Sequence, residues 1–203
     1  LAHGAWVTIQ LSVLSMALAV VLGLPIAVAR LSGTRWLAWP ATVYVEFFRG
    51  IPMLLLLYFL YFGLGHTLRL PAFWAAVLGF GLNYAAYEAE IYRAGIGAIP
   101  RGQWEAAASL GMSPALAFRR IILPQAVRVI LPPMTSDFIA LFKDTSLVSA
   151  IAVVELTKQY LILTKSSGGF LKIGLATAVL YLMMSVPLGY LSRQLEKRWG
   201  NGS

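Results

Sequence analysis

Cysteine is absent from these 203 residues, so the chain has no disulfide, no thiolate nucleophile and no cysteine-ligated metal. Histidine is nearly absent: only His3 and His66 occur, and no HExxH-type pair exists. Charge is scarce as well. Asp, Glu, Lys and Arg make up 12% of the chain, where an ordinary soluble domain carries about 25%. That deficit excludes a typical cytosolic enzyme, a disordered chain and a coiled coil. No GxxxxGK[ST] phosphate loop is present, so the polypeptide cannot hydrolyse ATP unaided. A Ser/His/Asp set is missing too. No basic run interleaved with aromatics supports nucleic-acid binding, although the net charge is +8.

What is abundant is apolar sequence. Hydrophobic residues make up 59% of the chain, and the mean hydropathy is +0.76. This is the composition of a polytopic membrane protein. A bilayer core needs about 20 apolar residues per helix. No Lys, Arg, Asp or Glu precedes Arg30, and Trp6 to Ala29 reads as the first span rather than as a cleavable signal, which would need a basic leader and a shorter core. Ala19, Gly23 and Ala27 recur every four residues, a stripe suited to close helix packing. A polar link follows over 30–40. Residues 41–64 read as one span bent at Gly50-Ile51-Pro52. The third span is 72–92, with Gly79 and Ala75, and Gly81 and Ala85, at the same small-residue spacing. Ile121 to Phe142 is the fourth, with Pro124, Pro132 and Pro133 in it; Ile173 to Ser192 is the fifth. Thr145 to Val154 is apolar but too short to span, and Thr164-Lys165-Ser166-Ser167 reads as a polar loop. The whole chain, 1–203, is read as a single membrane domain.

Between the third and fourth spans the membrane pattern stops, over about 94–120. Gly95, Gly97, Pro100, Gly102, Gly111 and Pro114 lie here with Arg101, Glu105, Arg119 and Arg120. Five spans put the termini on opposite faces. Placing this loop inside gathers Arg30, Arg35, Arg101, Arg119, Arg120, Arg128, Arg193, Lys197 and Arg198 on the cytoplasmic side, against Arg69, Lys158, Lys165 and Lys172 outside. The excess of inside charge predicts an outside N-terminus and an inside C-terminus.

Within the loop, Gln103 to Leu110 predicts a two-turn helix rich in Ala. Gly111 follows as a residue able to take positive φ at a C-cap, and Pro114 opens the next element. The spacing is definite: Glu105-Ala106-Ala107, three residues, Gly111, nine residues, Ile121-Ile122-Leu123-Pro124. It resembles the EAA coupling motif of the integral membrane subunits of bacterial ABC importers. The resemblance implies that this helix docks in a cleft of a separate ATPase and transmits its movement, with Glu105, Ala106, Ala107, Gly111 and Pro124 as the coupling residues.

An ionisable residue at the bilayer centre costs about 2.5–3.5 kcal/mol on insertion scales, so each needs a reason. Two clusters stand out: Tyr87, Glu88, Glu90 and Arg93 at the end of the third span, and Asp137 with Lys143-Asp144-Thr145-Ser146. Glu90 with Arg93 and Lys143 with Asp144 can be structural pairs holding helices in register. The same groups can line a polar path, and the two roles can coexist. The second cluster, set between apolar stretches, predicts a broken helix beside a cavity. Mixed charge suits a zwitterion.

Four segments extend the resemblance over nearly the whole chain. Glu46-Phe47-Phe48-Arg49-Gly50-Ile51-Pro52, Ala86-Tyr87-Glu88-Ala89-Glu90-Ile91-Tyr92-Arg93, Pro100-Arg101-Gly102-Gln103-Trp104-Glu105-Ala106-Ala107 and Lys143-Asp144-Thr145-Ser146-Leu147 are similar to segments of the polar amino acid ABC permeases (the histidine, arginine, glutamine and glutamate group). Ala94 stands where that group often has Gly, and Leu82-Asn83-Tyr84 is bulkier than usual. The resemblance implies an all-α membrane protein of about five transmembrane helices, a type I ABC importer (MetI-like) permease core with a cytoplasmic coupling helix. It implies Tyr87, Glu90, Lys143, Asp144, Thr145 and Ser146 as the solute path. It further implies cytoplasmic ABC ATPase subunits that bind the ATP and Mg while this chain binds no cofactor, a second permease subunit, identical or similar, an extracytoplasmic solute-binding protein, and an amino acid substrate carried across a bacterial cytoplasmic membrane. Two other classes remain open on the residues themselves. An ion-coupled transporter or channel would use the buried charges without needing the EAA spacing. A membrane scaffold would not need Lys143-Asp144 in an apolar stretch.

Overall fold

The computed structural model describes residues 1–199. Their regular structure is helical: α1 (Ala2–Leu31), α2 (Arg35–Gly50), α3 (Met53–Tyr58), α4 (Gly65–Leu68), α5 (Ala72–Gly97), α6 (Arg101–Ser109), α7 (Pro114–Ala117), α8 (Leu123–Asp144), α9 (Leu156–Ser167) and α10 (Phe170–Trp199). Wider π turns continue α3 over Phe59–Gly63 and join α7 to α8 over Phe118–Ile122, and a 3₁₀ turn, Thr145–Ile151, follows α8.

Proline sets many of these boundaries. Pro52, Pro71 and Pro100 immediately precede α3, α5 and α6. Proline lacks the N–H that would continue a preceding helix, while its fixed φ suits the start of the next. It also bars its predecessor from helical geometry: Ile51 is extended, at φ −93° and ψ 133°. Here the chain turns by 102° between α2 and α3. Pro124 behaves differently. It falls just after the π turn at Phe118–Ile122, where Leu123 donates to the Phe118 carbonyl five residues back. The widened turn accommodates the ring instead of breaking the helix.

Contacts fix the relative directions of the long helices. Leu18 lies on Gly81, Gly23 on Ala85 to Ala89, and Arg30 on Glu90, so α1 and α5 run parallel. Gly95 meets Ile130 while Tyr84 meets Asp144, so α5 and α8 are antiparallel. Ser136 meets Ser192 and Phe142 meets Tyr181, so α8 and α10 are antiparallel as well. The starts of α1 and α10 therefore share one end of the bundle, and the end of α10 lies with α6 at the other.

Helix α5 is the hub. One apolar cluster gathers Leu11 and Ala19 of α1, Leu57 of α3, Phe80 and Tyr84 of α5, and Leu141 of α8. A second gathers Ala27, Val45, Ala86, Ala89, Ile122, Ala126 and Ile130 nearer α6. The predicted stripe is realised and is longer than expected: Gly4, Thr8, Ser12, Ser15, Ala19, Gly23 and Ala27 are all buried. In lipid, helices associate mainly through close packing and hydrogen bonds, which small residues permit. The outer surface is apolar, with Leu175, Val179, Leu182 and Val186 of α10 exposed.

Several expectations are corrected. The polar link is shorter, because α2 begins at Arg35 and carries Pro40 inside it. Its first turns are amphipathic, which a span search overlooks. Residues 164–167 are helical rather than looped, forming the end of α9, whose start the Glu155 carboxylate caps by accepting from the Thr157 and Lys158 N–H groups at 2.8 and 2.7 Å. Among the described residues, only α1 and α10 are individually long and apolar enough to cross a membrane, and α2 with the α3 segment makes up to three if that bent pair is one span. Helices α5 and α8, at 26 and 22 residues, reach about 39 and 33 Å at 1.5 Å per residue, and so have the length. They fall short in apolarity because they are the inner helices and carry the polar groups.

A Cβ on Gly23 would lie 2.9 Å from the Glu88 Cβ and 3.1 Å from the Ala85 carbonyl oxygen. Gly23→Val is expected to push α1 off α5 and to cost about 1–3 kcal/mol, read as a lower unfolding temperature of the detergent-purified protein. Gly97→Ala, with nothing within 4 Å of its Cβ, is the control that should match the parent. Equal melting of the two variants would contradict this packing.

Candidate functional site: a polar cleft and a capped terminal helix

The break between α2 and α3 leaves a carbonyl without its helical partner. Phe48 would normally accept from the N–H four residues ahead, but that residue is Pro52. Asn83 of α5 supplies the missing donor, its Nδ2 lying 2.6 Å from the Phe48 carbonyl oxygen. Beside it the Tyr44 hydroxyl donates to the Leu82 carbonyl at 2.7 Å. The bend is thus pinned to α5 by two side chains.

Next to this pin lies a polar cleft of about 480 Å³. It is lined from three directions: Arg49 to Met53 at the bend, Asn83, Tyr84 and Tyr87 of α5, and Asp137, Ala140 and Asp144 of α8. The three α8 residues are three, four and seven apart, and Tyr87 is four from Asn83 and three from Tyr84, spacings that align residues along a helix. The Arg49 guanidinium sits over the Tyr87 ring, 5.2 Å from its centroid, a cation–π geometry. The Tyr84 hydroxyl donates to Asp144 Oδ2 at 2.9 Å. Among the described residues Asp137 Oδ2, buried, has no hydrogen-bond partner. At Asp144 the α-helix ends and the 3₁₀ turn begins, so the predicted broken helix is present and borders the cavity.

Of the residues assigned to a path from sequence, the structure brings Tyr87 and Asp144 to the cleft. The others stand elsewhere. Glu90 is clamped between Arg30 of α1 and Arg93, whose Nη2 donates at 2.8 Å. The expected Glu90–Arg93 pair is therefore part of a triad tying α1 to α5. Lys143 is exposed and makes no ion pair with Asp144, contrary to the register pair expected. Thr145 is fully buried and donates to the Phe142 carbonyl at 2.7 Å. Ser146 is half-buried and does not line the cleft. The sequence assignment omitted Arg49, Asn83, Tyr84 and Asp137. The i, i+4 spacing from Asn83 to Tyr87 and the i, i+7 spacing from Asp137 to Asp144 were signals that could have found them. Glu88 is fully buried against Gly23 of α1.

At the end of the bundle where α5 finishes, only Ala98, Ile99 and Pro100 separate it from α6. Gly111 has φ +73°, as predicted for a C-cap. Its N–H donates to Ala108 at 2.9 Å and the Met112 N–H to Ala107 at 3.1 Å, the two bonds of a Schellman cap. Trp104 turns inward and stacks on Phe118, and Gln125 of α8 donates to Gln103 at 3.2 Å. Ala107 is buried against the bundle, so the motif splits between two faces: Glu105 and Ala106 are exposed, and Leu110 is 81% exposed. Pro124 is exposed in the first turn of α8.

A helical bundle with broken inner helices around a polar cleft, and a rigid helix at one end, is the architecture of a membrane permease. Residues 19–201 match the family described as binding-protein-dependent transport system inner membrane component, and the chain belongs to it. Among its relatives, the L-cystine transport system permease protein TcyB of Bacillus subtilis is 39% identical over 200 residues, covering 98% of this chain and 86% of that protein. The glutamine transport system permease protein GlnP of Escherichia coli is 39% identical over 202 residues, covering 98% and 92%. Among solved structures, a chain of an amino acid ABC transporter with histidines superposes with a TM-score of 0.91 at 36% identity, covering 97% of this chain and 92% of that one. A chain of the inward-facing MetNI methionine ABC transporter shares the fold at 20% identity, with a TM-score of 0.82 and coverage of 97% and 94%. The all-α MetI-like permease fold expected from sequence is thereby established, and the chain is a multi-pass membrane permease subunit of an ABC importer.

Replacing Asn83 with Leu keeps the volume but removes the donor to Phe48. An orphaned buried carbonyl costs about 1–3 kcal/mol. Asn83→Leu is expected to lower the unfolding temperature, and Asn83→Gln to recover less than half of the loss because its donor is displaced. A variant as stable as the parent would show that the bend does not need this bond.

Proposed function

We propose that this chain is the translocation subunit of an ATP-driven importer of polar amino acids, carrying its solute past the cleft and receiving mechanical input through α6. The observation that carries the reading is the exposed, Schellman-capped helix at the bundle end, bearing Glu105, Ala106 and Leu110 on its free face. Such a helix is a rigid body that a partner's groove can hold. The named relatives act on glutamine and cystine, which supports a polar amino acid as the solute class. Tyr87 and Asp144, with Arg49, Asn83, Tyr84 and Asp137, form the solute-facing set. Glu90 works as the anchor of α1 to α5, and Thr145 and Ser146 as the turn that ends α8. Lys143, exposed and unpaired with Asp144, has no contact with the cleft.

The partners follow from what one chain lacks. ATP and Mg belong to cytoplasmic ATPase subunits, which hold α6. A second permease subunit completes the pathway, and an extracytoplasmic binding protein delivers the amino acid. The membrane is the bacterial cytoplasmic membrane, and the excess of basic residues near α6 puts that end and the C-terminus inside. The ion-coupled alternative has no support among the relatives.

Gly111→Val forces a side chain into left-handed backbone, at about 1–2 kcal/mol, and Glu105→Lys reverses the charge on the free face. In proteoliposomes containing the complete importer, each variant is expected to keep ATP hydrolysis while amino acid uptake falls by about tenfold or more, the loss of about 1.4 kcal/mol of coupling. Uptake and hydrolysis still coupled as in the parent, in both variants, would reject the role of α6. Uptake continuing without ATP would reject the importer reading as a whole.

A further inference from the structure

We propose that the first turns of α2 hold an anionic phospholipid of the leaflet that borders α6, with Arg35 on its phosphate and Trp36 and Trp39 against the glycerol and the upper acyl chains. This goes beyond the functional reading above and holds whatever the solute. Arg35, Trp36, Ala38, Trp39 and Thr42 line a hollow of about 570 Å³ on the outside of the bundle. Ala38, Trp39 and Thr42 stand three, four and seven residues after Arg35, which aligns all four along one side of the helix. Ala41 and Val45, on another side, are buried and pack α2 on the bundle. Trp36 is 90% exposed and Trp39 72%.

The depth of this surface follows from the chain. The outer face of α1 stays apolar through Val28 and Leu31, where the helix ends, and α2 begins at Arg35. Pro40, inside α2, cannot donate to the Trp36 carbonyl four residues back, and hydrocarbon offers no substitute donor. The turn therefore lies at headgroup level, within reach of water and headgroup hydroxyls. Tryptophan, apolar in body with a polar N–H, suits that level. Charge then selects the headgroup. Among the described residues Arg35 is in no ion pair, and the exposed carboxylates are Glu46 and Glu105 alone. Glu46 stands about 16 Å further along α2 at 1.5 Å per residue, and Glu105 belongs to α6. Arg101, Arg119, Arg120, Lys197 and Arg198 are all exposed at the same end of the bundle. A second copy of this chain would bring mostly cations to Arg35, whereas an anionic headgroup complements the whole set. A guanidinium can hold a phosphate through two N–H groups at once.

Native mass spectrometry of the detergent-purified importer, titrated with dioleoyl-phosphatidylglycerol, dioleoyl-phosphatidylcholine or inorganic phosphate, tests this. The anionic lipid is expected to bind at least about fivefold more tightly than the zwitterionic one, as fits one cation at a charged membrane surface. Arg35→Gln should bring the two within about twofold, while Lys197→Gln, equally exposed at the same end, keeps the parental ratio. Trp36→Ala combined with Trp39→Ala should weaken both lipids by about fivefold or more. Should Arg35→Gln aggregate, the tryptophan pair decides alone. Equal binding of the two lipids overturns the proposal, as does a ratio unchanged in Arg35→Gln, a ratio lost equally in Lys197→Gln, or lipid binding unchanged in the tryptophan pair. Displacement of the lipid by millimolar inorganic phosphate overturns it in favour of a free-anion site. Loss of subunits from the Arg35→Gln importer overturns it in favour of a protein contact on this face.

Discussion

Lipid offers no hydrogen-bond partner, so a helix can break at membrane depth only where protein or water satisfies the freed backbone groups. Pro52 frees the Phe48 carbonyl, and Asn83 takes it up. The rest of the site depends on that exchange. With the bend held against α5, Arg49 to Met53 face Tyr84 and Tyr87 across a cavity rather than continuing α2 into lipid. The second interruption, where α8 gives way to the 3₁₀ turn after Asp144, borders the same cavity. Two departures from regular helix thus meet at one place, and there the polar side chains of the inner helices are grouped.

Helix α5 links this cleft to the far end of the bundle. Its middle carries Asn83, Tyr84 and Tyr87, and its end continues into α6 within three residues. Between these points it is held on two sides. Gly23 of α1 lies against Ala85 to Ala89, and Gly95 lies against Ile130 of α8. Interiors packed this closely are not freely compressible. Only three residues separate α6 from the helix that carries the cleft side chains, so no long loop lies between the two places. The Arg30–Glu90–Arg93 triad stands between the two points. Its charges serve to hold α1 and α5 together.

The parts legible in the sequence are those governed by local rules. The small-residue stripe of α1, the bend at Gly50-Ile51-Pro52, and α6 with its left-handed Gly111 follow from spacing, proline and glycine alone. Composition found the apolar spans. It failed for the ends of α2 and for α9, whose residues are too polar for a span; the capping carboxylate of Glu155 was the available clue. The site was legible as two charged clusters but not as a cleft. Pairing by sequence distance joined Lys143 to Asp144, whereas the fold gives Asp144 to Tyr84, sixty residues away. It joined Glu90 only to Arg93, whereas Arg30 arrives from α1. Neighbours on a chain lie on different faces of a helix, and only the packing of α5 on α1 and α8 decides which charges meet.

That packing also explains why the polar residues are so unevenly placed. The outer helix α10 shows lipid a row of Leu, Val and Met side chains, and its own polar groups are used internally, as where Tyr181 donates to the Glu155 carboxylate at 3.1 Å. Helices α5 and α8 are screened from lipid over much of their length and can carry Asn83, Glu88, Asp137 and Asp144. Each such group lowers the hydropathy of its helix. The two helices that have the length of a span but fall short of its apolarity are consequently the ones at the centre of the molecule. In a chain of this class a weak span signal combined with sufficient length marks the inner helices, and the polar residues that weaken the signal mark the face they turn to the cavity.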